Sequence, residues 1–126
     1  MSEGKKRQKT YSDQDIEARL KAELPRWSYR DGFIRRKYQT HGWKGTLMVV
    51  NAVGHLAEAA WHHPDIRASY ASVEVALQTH DAGGITDKDF ALAKKIEELV
   101  QWRPAKEGGA LTGPPDDPRY ATVKYD

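Results

Sequence analysis

The sequence predicts an α+β domain in which three helices cover one face of an antiparallel sheet. Three observations lead there: an Asp-Gly pair at 31–32 flanked by strand-like residues, three stretches of helical periodicity, and an alternating run beginning near residue 70. The chain has 126 residues, the length of a single domain. Hydrophobic residues make up 39% and aromatic residues 10%, enough to build a core. There is no cysteine, so disulfides, thiolate metal sites, cysteine nucleophiles and redox motifs are all excluded.

Residues 1–11 are polar and basic, with Lys5, Lys6, Arg7 and Lys9, and read as a mobile tail. Ser12 with Asp15 resembles a capping box, and Ile16, Leu20 and Leu24 recur every four residues. A helix over about 13–24 follows, stopped by Pro25. Around Asp31-Gly32 both central turn positions tolerate positive φ, as a type I′ hairpin requires. That turn sets Tyr29 opposite Ile34 and puts Trp27 on the same side. One face of the hairpin is then apolar, and the other carries most of the charge.

A second helix is expected over 43–63, with Leu47, Val50, Val53, Ala57 and Ala60 as its buried stripe and Pro64 ending it. A strand at about 70–79 alternates Ala71, Val73, Val75 and Leu77 with Ser72, Glu74, Ala76 and Gln78. Gly83 and Gly84 form a turn. Thr86 and Asp89 make a second capping box, and Phe90, Ala93, Ile96 and Val100 carry a third helix to about residue 101. Residues 103–126 shift to Gly and Pro and read as an extended tail, free or lying along the body or a neighbouring subunit. The sheet's free edges favour self-association.

The net charge of +2 is far short of the field that nucleic-acid binding needs. No apolar run is long enough to span a bilayer. A cytoplasmic protein with no direct nucleic-acid or membrane partner is expected.

Chemistry centres on histidine. His62, His63 and His80 bracket the junctions where a cleft would form, whereas His41 and His55 read as solvated surface. Imidazoles titrate near neutrality, so a cluster can offer both a proton donor and a proton acceptor. Glu58 stands four residues before His62, and on one helical face it would orient that ring and favour its charged form. Asp89 has a capping role, with catalysis as a second one. Trp27, Trp43 and Trp61 are more often core than binding platform, though one can be both. A zinc shell of His55, Glu58, His62 and His80 is conceivable but unspecific, and the metal-free reading is preferred.

Glu58, His62, His63, Pro64, Tyr70, His80 and Asp89, with the stretch Thr79 to Thr86, resemble the signature of the pterin-4a-carbinolamine dehydratases over about residues 12–101. The resemblance implies a four-stranded antiparallel sheet with three helices on one face, in a homodimer or homotetramer. It implies dehydration of 4a-hydroxytetrahydropterin to quinonoid dihydropterin, in tetrahydrobiopterin recycling, with no cofactor and no metal. By position, His62 and His80 resemble the proton-transfer pair, and His63 a pterin-binding residue sharing the acid role. Asp89 would order the His80 loop, Glu58, Thr79 and Trp61 would line the pocket, and Trp27 could stack on the pterin. Trp61 stands where the family often has an acidic residue, Ile66 lies near a usual aromatic, and residues 103–126 have no counterpart in that pattern. Members of the family also serve as dimerisation cofactors of transcription factors, so a non-catalytic coactivator or assembly factor is the alternative.

Overall fold

A computed structural model describes residues 9–126. Its elements are α1 (Asp13–Glu23), β1 (Ser28–Arg30), β2 (Phe33–Gln39), α2 (Trp43–Ala60), β3 (Asp65–Ser69), β4 (Ser72–Leu77) and α3 (Asp87–Val100). The strands form one antiparallel sheet in the order β1-β2-β4-β3. The α+β class and the four strands agree with the expectation. The basic cluster at Lys5, Lys6 and Arg7 lies outside the described residues.

Local chemistry accounts for each element. Ser12 caps α1 by accepting the Asp15 N–H at 3.1 Å. The chain is already tied down one residue earlier, because the Tyr11 N–H donates to the Ile85 carbonyl at 2.9 Å and its ring meets Phe90 edge-on. Asp31 and Gly32 have φ of 54° and 82°, as a type I′ turn requires. Tyr29 accordingly pairs with Ile34. Thr86 and Asp89 close a complete capping box on α3.

Side chains of one parity meet across the strands: Ile34 faces Leu77, Arg36 faces Val75, and Tyr38 faces Val73. With Ile16 and Leu20 of α1, Val49 and Val53 of α2, and Phe90, Ala93 and Ile96 of α3, the apolar ones form one buried core, so the three helices share one face of the sheet. Burying those aliphatic and aromatic side chains stabilises the fold by about 1.5–3 kcal/mol each.

Three expectations shift. The strand foreseen at 70–79 is β4 alone, and the preceding β3 was hidden. It is an edge strand whose side chains are exposed except for a half-buried Ile66, so it shows no apolar alternation. Second, α2 stops at Ala60, three residues early, and its buried stripe is Thr46, Val49, Val53 and Ala57, not one through Leu47 and Ala60. Leu47 is exposed because the sheet lies one position round the helix from the face that hydrophobicity alone suggested. Third, the helix-facing side of the hairpin carries a charge.

That charge is Arg36, buried among apolar neighbours. Its guanidinium grips Glu97 with Nε to Oε1 at 3.0 Å and Nη2 to Oε2 at 3.1 Å, and it also pairs with Asp126. Glu97 further accepts hydrogen bonds from the Tyr38 hydroxyl at 2.7 Å and the Trp27 indole N–H at 3.0 Å. Burial pushes the Glu97 carboxyl up, but these donors, Arg36 foremost, outweigh it and hold the group below the ordinary glutamate value of 4.5. A depressed carboxylate stabilises the fold fully above its unfolded value, and that contribution fades as pH falls below about 4.5 and through the lower folded value. Glu97→Gln is therefore expected to flatten the acid limb of stability against pH, read by urea unfolding at pH 7 and at about pH 3.

Residues 103–126 lie along the body. Thr40 and Val123 form an antiparallel bridge, the His41 N–H donates to the Thr122 carbonyl at 2.8 Å, and the Lys124 N–H donates to the Gln39 carbonyl at 2.9 Å. The segment thereby covers the β2 edge that the short β1 leaves open. A Cβ on Gly45 would fall 2.3 Å from the Thr122 carbonyl oxygen, so this helical glycine is where the segment touches α2. Elsewhere in a helix Gly→Ala gains about 1 kcal/mol. Here Gly45→Ala is expected to lower the melting temperature instead and to speed proteolysis of the C-terminal segment.

Candidate active site

The chain leaves α2 through a left-handed residue. Trp61 has φ 54° and ψ 47°, the His62 N–H donates to the Ala57 carbonyl, and the Trp61 N–H donates to the Glu58 carbonyl, which is a Schellman ending. His62 therefore sits beyond the helix, and the i, i+4 relation expected between Glu58 and His62 does not exist. Glu58 Oε1 instead meets His63 Nε2 at 2.9 Å. The early helix end also removes the common face on which His55, Glu58 and His62 could have held zinc. Among the described residues no group of three or more His, Asp or Glu is placed to hold a metal ion.

The carboxylate beside His62 is Asp89, whose Oδ1 lies 2.6 Å from His62 Nε2. Asp89 is fully buried and His62 is 12% exposed. Oδ2 of Asp89 accepts from the Thr79 hydroxyl at 2.7 Å and from the Thr86 N–H at 2.9 Å, so Oδ1 is left to accept from the imidazole. The Thr79 hydroxyl also meets that of Thr86 at 2.7 Å. One buried carboxylate thus caps α3, holds the segment that carries His80, and anchors the segment that carries His62 and His63. The capping role read from the sequence is present, and the histidine contact adds to it. Thr79 is buried and acts through this network.

His63 and His80 line one cleft of about 400 Å³ with Phe33, Asp65, Ala76 and Gln78, within the range of small-molecule sites. It opens on the face of the sheet turned away from the helices. There Asp65 pairs with Ala76, and Gln78 and His80 continue the parity of Ala76 beyond the end of β4. His62 lines a second cleft, of about 490 Å³, between α2 and α3, with Leu56, Ala59, Ala60, Lys88, Ala91, Leu92 and Lys95. The adjacent histidines therefore face different spaces. Trp61 is 73% exposed and stands edge-on to His63, ring centroids 5.0 Å apart.

Trp27 is corrected. It is 4% exposed on the helix-facing side of the sheet and its N–H is engaged by Glu97, so it is core and does not reach the cleft of His63 and His80. Phe33, Asp65, Ala76 and Gln78 were missed. Ala76, Gln78 and His80 share strand parity, a signal present in the sequence, but Asp65 needed the hidden β3.

An antiparallel sheet backed by helices on one side, with two histidines at a ligand-sized cleft on the other, defines an α+β domain with a candidate small-molecule site. The chain matches the family model described as pterin 4 alpha carbinolamine dehydratase over residues 9–99. It is 46% identical over 90 residues to a protein of Aquifex aeolicus and 45% identical over 89 residues to one of Chloroflexus aurantiacus. Both bear the name "Putative pterin-4-alpha-carbinolamine dehydratase", and each match covers 71% of this chain and 90% or 95% of the relative. A crystal structure titled transcriptional coactivator/pterin dehydratase, from Brucella melitensis, superposes with a TM-score of 0.67 at 24% identity, covering 73% of this chain and 99% of that one, a likeness of fold. The chain belongs to the pterin-4-alpha-carbinolamine dehydratase family.

Proposed function

We propose that the protein dehydrates a 4a-hydroxytetrahydropterin to the quinonoid dihydropterin by histidine acid–base catalysis. The observation that carries this reading is the Asp89 clip, which ties together the two chain segments bearing His62, His63 and His80. In the reaction the C4a–O bond breaks while the adjacent ring nitrogen supplies the electrons for a new C=N bond. An acid delivers a proton to the departing hydroxyl, which leaves as water, and a base takes the proton from that nitrogen. Neutral-pH imidazoles suit both tasks, each contributing about 10²- to 10⁴-fold.

His63 and His80 flank the open-face cleft and would meet the pterin there, with Phe33 offering an apolar contact and Asp65 and Gln78 polar ones. His62, with Nε2 held by Asp89, faces the neighbouring cleft and keeps Nδ1 for proton exchange by way of its neighbours. Glu58 and Trp61 bound His63 from outside the cleft. The purified protein is expected to accelerate dehydration of chemically generated 4a-hydroxytetrahydropterin, followed by its ultraviolet absorbance, equally with and without EDTA. A rate no greater than the buffer's sinks the reading.

A further inference from the structure

We propose that Trp61 is a positioning residue, held in a left-handed conformation so that its indole fixes the imidazole of His63 at the cleft shared with His80. The catalytic consequence rests on the dehydratase reading; the positional one does not.

Four observations converge. The Schellman position that ends α2 is one that glycine fills most easily, and a bulky residue with positive φ there is an outlier. Burial does not explain the choice, since Trp61 is the most exposed of the large hydrophobic side chains among the described residues. Its ring meets the ring of His63, edge-on with an interplanar angle of 81°. His63 is itself half exposed, and its hydrogen bond is to the exposed carboxylate of Glu58. A polar contact between two such exposed groups restrains a side chain only weakly. The indole supplies a second contact. Carboxylate and indole together leave the ring much less freedom than either alone.

The backbone turn adds the direction. Immediately after it, His62 runs back to the buried Asp89 between α2 and α3, while His63 points to the open face of the sheet. Backbone strain retained beside a functional side chain is a sign that the conformation is used. Here it sends two adjacent imidazoles to two different spaces, and the side chain that bears the strain steadies one of them.

The test compares Trp61→Gly and Trp61→Phe with the wild type in the full chain. Glycine relieves the left-handed strain, so Trp61→Gly is expected to melt at the same temperature or up to about 4 °C higher. The same variant is expected to lose about tenfold in kcat with KM changed less than about threefold. Imidazole nitrogen NMR should show the His63 Nε2–H signal broadened by exchange, while the His62 signals are unaffected. Phenylalanine, which keeps a ring edge, should restore most of both. A merely structural Trp61 predicts the reverse: lower melting temperature with the His63 signals and kcat unchanged, and that result overturns the proposal. If the wild type does not turn over, the dehydratase reading falls and the NMR comparison alone decides the role of Trp61.

Discussion

Asp89→Ala is expected to destabilise the protein by about 3 kcal/mol, and to cut dehydration at least tenfold in the fraction that stays folded. The stability loss follows from what the carboxylate satisfies. Its removal strands the Thr79 hydroxyl and the Thr86 N–H in a site with no solvent access, and each unsatisfied buried donor costs about 1–3 kcal/mol. It also breaks one half of the capping box on α3, worth about 1 kcal/mol. Thr79 and Thr86 can still bond to each other, which offsets part of the sum. The loss of rate has a separate origin. Without Asp89 the His62 ring loses its anchor, and the segment carrying His80 loses its tie to α3, so the geometry on which the proposed proton transfer depends relaxes. Asp89→Asn separates the two effects. It keeps the shape and one acceptor but turns a donor towards either His62 or Thr79, so about half of the stability loss is expected with most of the loss in rate. Urea unfolding followed by fluorescence gives the first quantity, and assays well below the midpoint give the second. An Asp89→Ala protein with wild-type stability and turnover would show that the clip holds nothing together.

The division between what could be read from the sequence and what could not follows the range of each interaction. Local rules placed the Asp31-Gly32 turn, the Ser12 and Thr86 caps and the pairing of Tyr29 with Ile34, because each depends on residues a few positions apart. Elements decided by tertiary contact were misplaced. β3 carries one half-buried side chain and is a strand only because β4 lies beside it, so its own residues gave no period. The end of α2 is set by a left-handed tryptophan, where the propensity rules look for glycine or asparagine. That single residue moved His62 off the helix and exchanged its carboxylate partner, from Glu58 to Asp89, across 27 positions of sequence. The histidines themselves were legible as chemistry and, with Asp89, as a resemblance. Their surroundings at the open face, Phe33, Asp65 and Gln78, come from three separate strand segments and needed the sheet register.

His80→Ala and His62→Ala are expected to lower kcat by about 10²-fold each, with the tenfold level as the least that supports a catalytic role. The two variants should differ in every other respect. His80 is exposed and its ring makes no side-chain hydrogen bond among the described residues, so His80→Ala should leave the melting temperature within about 1 °C of wild type. His62 is nearly buried and carries the bond to Asp89, so its removal should also destabilise by about 1–2 kcal/mol. The His62 phenotype is therefore corrected for folding before it is read as chemistry, whereas a loss of rate at His80 reads directly as chemistry. If one ring donates the proton to the leaving hydroxyl while another accepts the ring proton in the same transition state, their contributions are not independent. The double variant should then be little slower than the worse single one, as for groups that act as a unit. Multiplying losses would instead assign the rings to separate tasks, such as binding and proton transfer. The pH dependence distinguishes the partners further: deleting the acid removes the alkaline limb of the kcat profile, and deleting the base removes the acidic limb. Wild-type turnover in both single variants would mean that the imidazoles are bystanders and that the cleft at the open face of the sheet serves to bind a ligand without transforming it.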